Sequence, residues 1–263
     1  MQLPYLSGDL RDAFDAWLEA TLSRYVPPLT FTELRKGVQA LNDLWNRAGS
    51  GAALAHRVTE GLGKRAALAT YFAALRFLAT HHALQMVGEV LGTPREIVDA
   101  GCGTGAVGAA VARALAPAAR IVGIDRSGWA LDEARHTWEA FGLAGRAVRD
   151  DLPGGVPFPS RGRLLVLGWS ASRLDPGPRE RLLARAVAHA KKGGGLLVLE
   201  PISRKAGVTW WNEWAERLGP AGVREETIRV AIHRPRFIRE MDRAARLDHQ
   251  VIGARVLVGR KGT

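Results

Sequence analysis

The chain contains one cysteine, Cys102, in 263 residues. That excludes an intramolecular disulfide and any zinc or iron–sulfur site built on several thiolates, so no metal is expected. No apolar run approaches the roughly 18 residues needed to cross a bilayer, which leaves no membrane partner to expect. The opening MQLPYLSGDLRDAFDAW carries acids and lacks the basic stretch and apolar core of an export signal. A reducing cytoplasmic location is the expectation that follows. Lysine is scarce, and internal repeats and low-complexity tracts are missing.

What is present is an ordinary globular composition, 47% hydrophobic and 24% charged. The length suffices for one large α/β domain plus a smaller region. The net charge is +11, and residues 1–92 account for only +1 of it. The basic excess therefore lies in residues 93–263, where a polyanion such as RNA is a candidate partner. An arginine-rich genome would give the same excess.

Hydrophobic periodicity divides the chain at Gly92-Thr93-Pro94. Residues 9–92 read as helical. Leu10, Phe14, Trp17, Leu18 and Leu22 share one face of a first helix. Thr32 is the expected cap of a second, with Leu34, Val38, Leu41, Leu44 and Trp45 on its apolar side. Further helices fit Gly51 to Leu62 and Lys64 to Leu91. Beyond residue 93, strands alternate with helices. Strands are expected at Glu96–Ala100, Arg120–Asp125, Arg146–Arg149, Arg163–Gly168, Gly195–Glu200, Glu226–Ile232 and Ala254–Gly259. Helices are expected at Gly105–Ala116, Gly128–Phe141, Pro178–Ala190 and Trp210–Leu218. Such alternation predicts a parallel, Rossmann-like α/β sheet with helices on both faces, residues 93–263, behind a helical N-terminal domain, residues 1–92.

The chemistry concentrates at Asp99-Ala100-Gly101-Cys102-Gly103-Thr104-Gly105, between the first strand and its helix. Glycines allow a tight turn and an unobstructed approach of backbone to ligand. The next strand ends in Asp125, twenty residues after Gly105. A carboxylate there can accept hydrogen bonds from two ribose hydroxyls. Dinucleotide enzymes use G-x-G-x-x-G at this position; here the spacing is G-x-G-x-G, preceded by an acid. This resembles motif I of class I S-adenosylmethionine (SAM)-dependent methyltransferases.

The resemblance implies SAM as cofactor, with Asp99, Gly101, Cys102, Gly103 and Gly105 around its methionine and ribose. It implies Asp125 and Arg126 at the ribose, and Asp150, Asp151 and Leu152 at the adenine. Gly168 and Trp169 would line the side shared with the methyl acceptor. A nicotinamide cofactor is the weaker alternative. Within the loop, Cys102 reads first as a small tolerated side chain rather than a catalytic thiol.

Acceptor chemistry is less legible. Methyl transfer needs in-line positioning more than acid–base machinery. The segment Gly168-Trp169-Ser170-Ala171-Ser172 lacks the Asn/Asp-Pro-Pro-Tyr/Phe run of amino-methylating enzymes. Candidate pocket groups are Tyr71, Arg76, His81, His82, Ser170, Arg173, Glu200 and His233. Among them His82, His233 and Tyr71 are catalytic candidates, and Arg76 is a candidate for the SAM carboxylate. Trp210 and Trp214 share a helical face, as core or as an aromatic pocket. The stretch 229–246 holds six arginines against two acids and suits RNA phosphates or a solvated helix face.

Tyr71-Phe72-Ala73-Ala74-Leu75-Arg76-Phe77-Leu78-Ala79-Thr80-His81 is similar to the pre-motif helix of mitochondrial small-ribosomal-subunit methyltransferase-like assembly proteins and their bacterial relatives. The tail from Asp248 to Val258 resembles that family's last strand. Leu78 stands where the family has proline, His81 where it has a second tyrosine, and the family's cysteine cluster is missing. The resemblance implies ribosomal RNA or the small ribosomal subunit as partner. A methyltransferase acting on RNA or on a small molecule is thus expected, with a non-catalytic ribosomal RNA-binding factor as the alternative.

Overall fold

The computed structural model describes residues 2–47, 56–157, 161–202 and 209–260. The start of the helix expected from Gly51 lies outside them. Helix α1 (Gly8–Ser23) is followed by α2 (Phe31–Arg47). Thr30, not Thr32, begins α2. Its hydroxyl accepts from the Glu33 N–H at 3.3 Å, while the Glu33 carboxylate accepts from the Thr30 N–H at 2.8 Å. That reciprocal pair needs an acid three residues on, which Thr30 has and Thr32, followed by Arg35, lacks.

The expected helix from Lys64 to Leu91 is interrupted. Helix α3 (Leu62–Ala67) runs into a π-helical turn at Leu68–Phe72, then α4 (Ala73–Val87) and a 3-10 turn (Gly88–Leu91). A π turn accommodates an extra residue and rotates everything downstream of it, without altering composition enough to be read from sequence.

The sheet comprises β1 (Leu3–Pro4), β2 (Glu96–Ala100), β3 (Arg120–Asp125), β4 (Gly145–Arg149), β5 (Arg163–Gly168), β6 (Gly195–Glu200), β7 (Val223–His233) and β8 (Val251–Arg260). Its order is β1-β7-β8-β6-β5-β2-β3-β4. Neighbours from β6 through β4 are parallel, and β8 runs antiparallel between β6 and β7. After the edge strand β1, the chain enters the parallel part of the sheet with β2, moves out to β4, then returns to β5. The β2/β5 boundary is therefore a topological switch point, where open α/β sheets leave a crevice beyond the strand ends.

Helices α5 (Ala106–Leu115) and α6 (Gly128–Ala140) pack on one sheet face; α7 (Pro176–Lys191) and α8 (Thr209–Leu218) pack on the other. Alternation along the strands divides the core: Leu164, Val166, Leu197 and Leu199 go to the first face, and Leu165, Leu167, Leu196 and Val198 to the second. The stretch 229–246 contains the end of β7 and α9 (Arg236–Ala245).

The N-terminal helices share the first core. Phe14, Trp17, Phe77 and Phe141 pack ring against ring, with Phe77 stacked on Phe141 at 4.8 Å. Buried Glu133 on α6 accepts from Arg24 at 2.8 and 2.9 Å and from the Tyr25 hydroxyl at 2.8 Å. Tyr71 on the π turn donates to Asp242 of α9, which also accepts from Arg234 at 2.5 Å and pairs with His249 at 2.8 Å. Burial works to raise the Asp242 pKa. The bonds from His249, Tyr71 and Arg234 win and hold it below the usual carboxylate value.

Candidate functional site

The tip of β2 turns through three glycines in the left-handed region, Gly101 (φ 76°), Gly103 (φ 51°) and Gly105 (φ 76°). The bend is fastened to the neighbouring strand: Gly101 and Cys102 N–H both donate to the Ile124 carbonyl, at 2.8 and 3.0 Å. The Asp125 carboxylate then bridges two backbone donors, Gly103 N–H at 3.0 Å and Ser127 N–H at 2.9 Å. Burial pushes its pKa up, and those two N–H groups pull it back.

Asp99, 1% exposed, lies beneath the loop. One of its oxygens accepts from the Gly108 N–H at 2.9 Å. The other has no hydrogen-bond partner among the described residues. Burial, with a smaller contribution from the Asp125 charge, pushes the Asp99 pKa up to about 7.

The glycines have different neighbours. A Cβ at Gly105 would lie 2.8 Å from the Ala134 Cα and 2.9 Å from the Trp138 Nε1; at Gly103 it would meet nothing within 4 Å. Gly105 is thus a packing glycine against α6, and Gly103 faces open space. Gly105→Ala is expected to destabilise the ligand-free protein by about 2–5 kcal/mol, through overpacking plus left-handed strain. Gly103→Ala carries the strain alone, about 1–2 kcal/mol. Thermal melts in which the Gly103 variant is the less stable would contradict this division.

Leu152 and Ser170 flank Gly101, whose Cβ would lie 3.3 Å from Leu152 Cδ1 and 2.6 Å from Ser170 Cβ. Ser170 donates to the Ala100 carbonyl at 2.9 Å. The structure therefore brings the glycine loop, Asp125, Leu152 and the Trp169-Ser170 turn together at the strand ends beside the switch point, with Asp99 beneath the loop. Asp150 and Asp151 are exposed beside it, the Asp150 carboxylate accepting from the Asp151 N–H at 2.7 Å. Arg126 is exposed, and its carbonyl accepts from Arg149. Gly168 packs on Val107. The Cys102 side chain lies toward Gly123 and is 6% exposed, and burial raises its thiol pKa well above the ordinary value.

The three catalytic candidates have separate partners. His82 is buried with Nε2 at 2.9 Å from the Tyr5 carbonyl, and its pKa is lowered by burial. Tyr71 belongs to the Asp242–His249 network, where burial and Asp242 raise its pKa. His233 is exposed at the end of β7. Burial, and then neighbouring His82, lower His81 to about 4. Trp211 and Trp214 are core residues, and Trp210 packs edge-on against both. Of the basic stretch, Arg234 is bound to Asp242 and Arg236 to Glu240, and Phe237 packs on the core. Among the described residues no group of three or more His, Cys, Asp or Glu is placed to hold a metal, and no helix is long and apolar enough to cross a membrane.

A second group adjoins the crevice. Arg76 of α4 lies over the rings of Trp45 and Trp169, at 5.4 and 5.8 Å. Arg173 lies over Trp45 at 4.8 Å. Trp169 is one of two non-glycine residues with left-handed backbone among those described (φ 54°). Sequence reading named Arg76, Arg173 and Glu200 but missed Trp45 as their neighbour. The apolar periodicity of α2 accounts for Trp45 by itself and gives no hint of two arginines against its ring.

Residues 97–194 match the family model described as a methyltransferase domain. Over 123 residues, 46% of this chain, the sequence is 30% identical to ribosomal RNA small subunit methyltransferase C of Chromohalobacter salexigens; the match spans 36% of that protein. Mitomycin 7-O-methyltransferase superposes with a TM-score of 0.52 at 16% identity, over 84% of this chain and 66% of that one. The chain thus spans less than two thirds of either protein. A Burkholderia thailandensis 1,6-didemethyltoxoflavin-N1-methyltransferase, solved with S-adenosylhomocysteine, aligns at 19% identity and TM-score 0.48, over 70% of this chain and 79% of that one.

Proposed function

We propose that this chain, whose residues 97–194 match a methyltransferase domain and whose fold is that of a class I methyltransferase, uses SAM to methylate a small-molecule acceptor held between the N-terminal helices and the tips of β5 and β6. The crevice residues fit SAM. Gly103 leaves its side of the loop clear. The buried Asp99 oxygen without a partner suits a ligand with a cationic end. Asp125 would accept from the ribose hydroxyls, and Leu152 would pack on the adenine, with Asp150 or Asp151 at its amino group.

SAM supplies an electrophilic methyl on a sulfonium, and the acceptor's nucleophilic atom takes it. The chain's contribution is position and exclusion of water. The Ile124 carbonyl and the Asp125 carboxylate fix the loop before ligand arrives, so little ordering remains to be done on binding. Trp169 and Ser170 border the crevice on the acceptor side.

The observation that carries the small-molecule reading is the roof. Trp45 of α2 stacks edge-on to Phe72 at 4.5 Å and lies over Arg173, just past the tip of β5. On this reading the indole covers the acceptor side and suits an acceptor of modest size. Ribosomal RNA is the second reading, favoured by the +11 charge and by the resemblance to a ribosomal RNA methyltransferase; as a docked factor the chain would bind that RNA without transfer. Labelled SAM, offered with a metabolite extract or with small ribosomal subunits, discriminates. Label is expected in the low-molecular-weight fraction. Label confined to the subunits would overturn the small-molecule reading.

A further inference from the structure

Beyond the tip of β5 the protein assembles donors without acceptors. Neither the Arg76 nor the Arg173 guanidinium has a hydrogen-bond partner among the described residues; their contacts are with the rings of Trp45 and Trp169 and with each other's charge. Attraction to a ring face leaves the in-plane N–H groups unmatched, five on each guanidinium. The indole N–H of Trp45 is buried and has no acceptor among the described residues. One carboxylate is close enough to count, Glu200 at the end of β6, 3% exposed. Each of its oxygens accepts once from Ser172, one from the N–H at 2.9 Å and the other from the hydroxyl at 2.7 Å.

Two cations thus face one anion, which leaves one positive charge unmatched. Burial, then repulsion from Arg173, lowers Arg76 to about 9, and burial lowers Arg173 to about 10. Both arginines are half-buried, and holding two like charges side by side with a single carboxylate near them is costly. An oxyanion supplies what is missing: negative charge and lone pairs for two guanidinium forks.

We infer that this cluster seats a carboxylate or phosphate belonging to the methyl acceptor, gripped by Arg76 and Arg173 between the indoles of Trp45 and Trp169. The inference rests on the methyltransferase reading above. The cofactor's own carboxylate has the same chemistry, but the position favours the acceptor. Asp99 and the glycine loop sit at β2, whereas Glu200 ends β6, two strand spacings or about 10 Å away. Trp169, after the intervening strand, stands between them. The acceptor is therefore an acidic molecule, and its anionic group is what orients the nucleophilic atom toward the crevice.

Calorimetry on the full chain tests this with benzoate and inorganic phosphate as probes, each titrated into protein saturated with S-adenosylhomocysteine. At least one probe is expected to saturate with a Kd of about 1 mM or tighter. Arg173→Gln is expected to weaken that probe at least about tenfold, as loss of a charged hydrogen-bond donor does. Affinity for S-adenosylhomocysteine should stay within about twofold, which also shows that the variant is folded. Trp45→Phe, which keeps a ring but removes the N–H, provides a second and milder variant with the same expected direction. If Arg173→Gln instead weakens S-adenosylhomocysteine while 5′-methylthioadenosine, which lacks the amino-acid end, binds as before, the anion is the cofactor's and the inference is overturned. Failure of both probes to saturate the unaltered protein overturns it as well. Failure of S-adenosylhomocysteine to bind at all would strike the methyltransferase reading itself.

Discussion

Asp125→Ala is expected to weaken SAM and S-adenosylhomocysteine by about 1.5–3 kcal/mol, roughly tenfold to 150-fold in Kd. The carboxylate has two tasks. It holds the glycine loop closed through Gly103 N–H and the start of α6 through Ser127 N–H. On the proposal above it also accepts from the ribose. Alanine removes the acceptor from all of these at once, whereas Asp125→Asn retains one oxygen and is expected to lose less. Titration calorimetry on the two variants measures the difference. An alanine variant that binds within twofold of the unaltered protein would mean that the ribose is held elsewhere.

Asp99→Asn is expected to change how the ligand-free protein responds to pH. Asp99 titrates near 7 in the folded chain, against about 3.9 when unfolded. The folded state therefore holds this proton more tightly than the unfolded chain does. Its contribution to stability is complete below about pH 4 and is lost as pH rises through 7. Three pKa units correspond to about 4 kcal/mol at most. The buried histidines act in the opposite sense: His81, lowered to about 4, favours the fold as pH rises. The quantity to compare is hence the difference between variant and unaltered protein in urea melts at pH 5 and pH 8. The asparagine variant should gain on the unaltered protein at pH 8, by up to a few kcal/mol relative to pH 5. Equal differences at the two pH values would sink the assignment of a buried, protonated Asp99.

Much of the sheet was legible because its strands are short, apolar and bounded by turn residues. Glu96–Ala100, Arg120–Asp125, Arg163–Gly168 and Gly195–Glu200 form at the expected residues. Their burial on both faces leaves little ambiguity in the pattern. The edge was harder. Strands β7 and β8 extend beyond the stretches expected at Glu226–Ile232 and Ala254–Gly259, since polar residues alternate along both. The two-residue β1 has no local signal at all; its pairing with Ile232 and His233 decides it.

The candidate site divides in the same way. Asp99, the glycines and Asp125 are close in sequence and fixed by strand–turn–helix geometry, so spacing reveals them. Trp45, Arg76, Trp169 and Arg173 come from α2, α4 and the turns after β5. No spacing rule joins four such positions, and Arg76 in sequence suggested a cofactor contact instead. Trp169 adopts a conformation that sequence would assign to glycine or asparagine. The surrounding tertiary contacts, not local preference, hold it there.

The bonds from Arg24 and Tyr25 to Glu133, the Phe77–Phe141 stack and the Tyr71–Asp242 bond also set terms for any redesign of acceptor preference. Exchanging the first 92 residues for a different roof would strip a buried carboxylate on α6 of its cation, bare an aromatic ring, and remove a donor from the acid that anchors α9. A graft must replace all three in register, so altered selectivity is more readily reached by changing side chains such as Trp45 in place than by transplanting the segment that carries them.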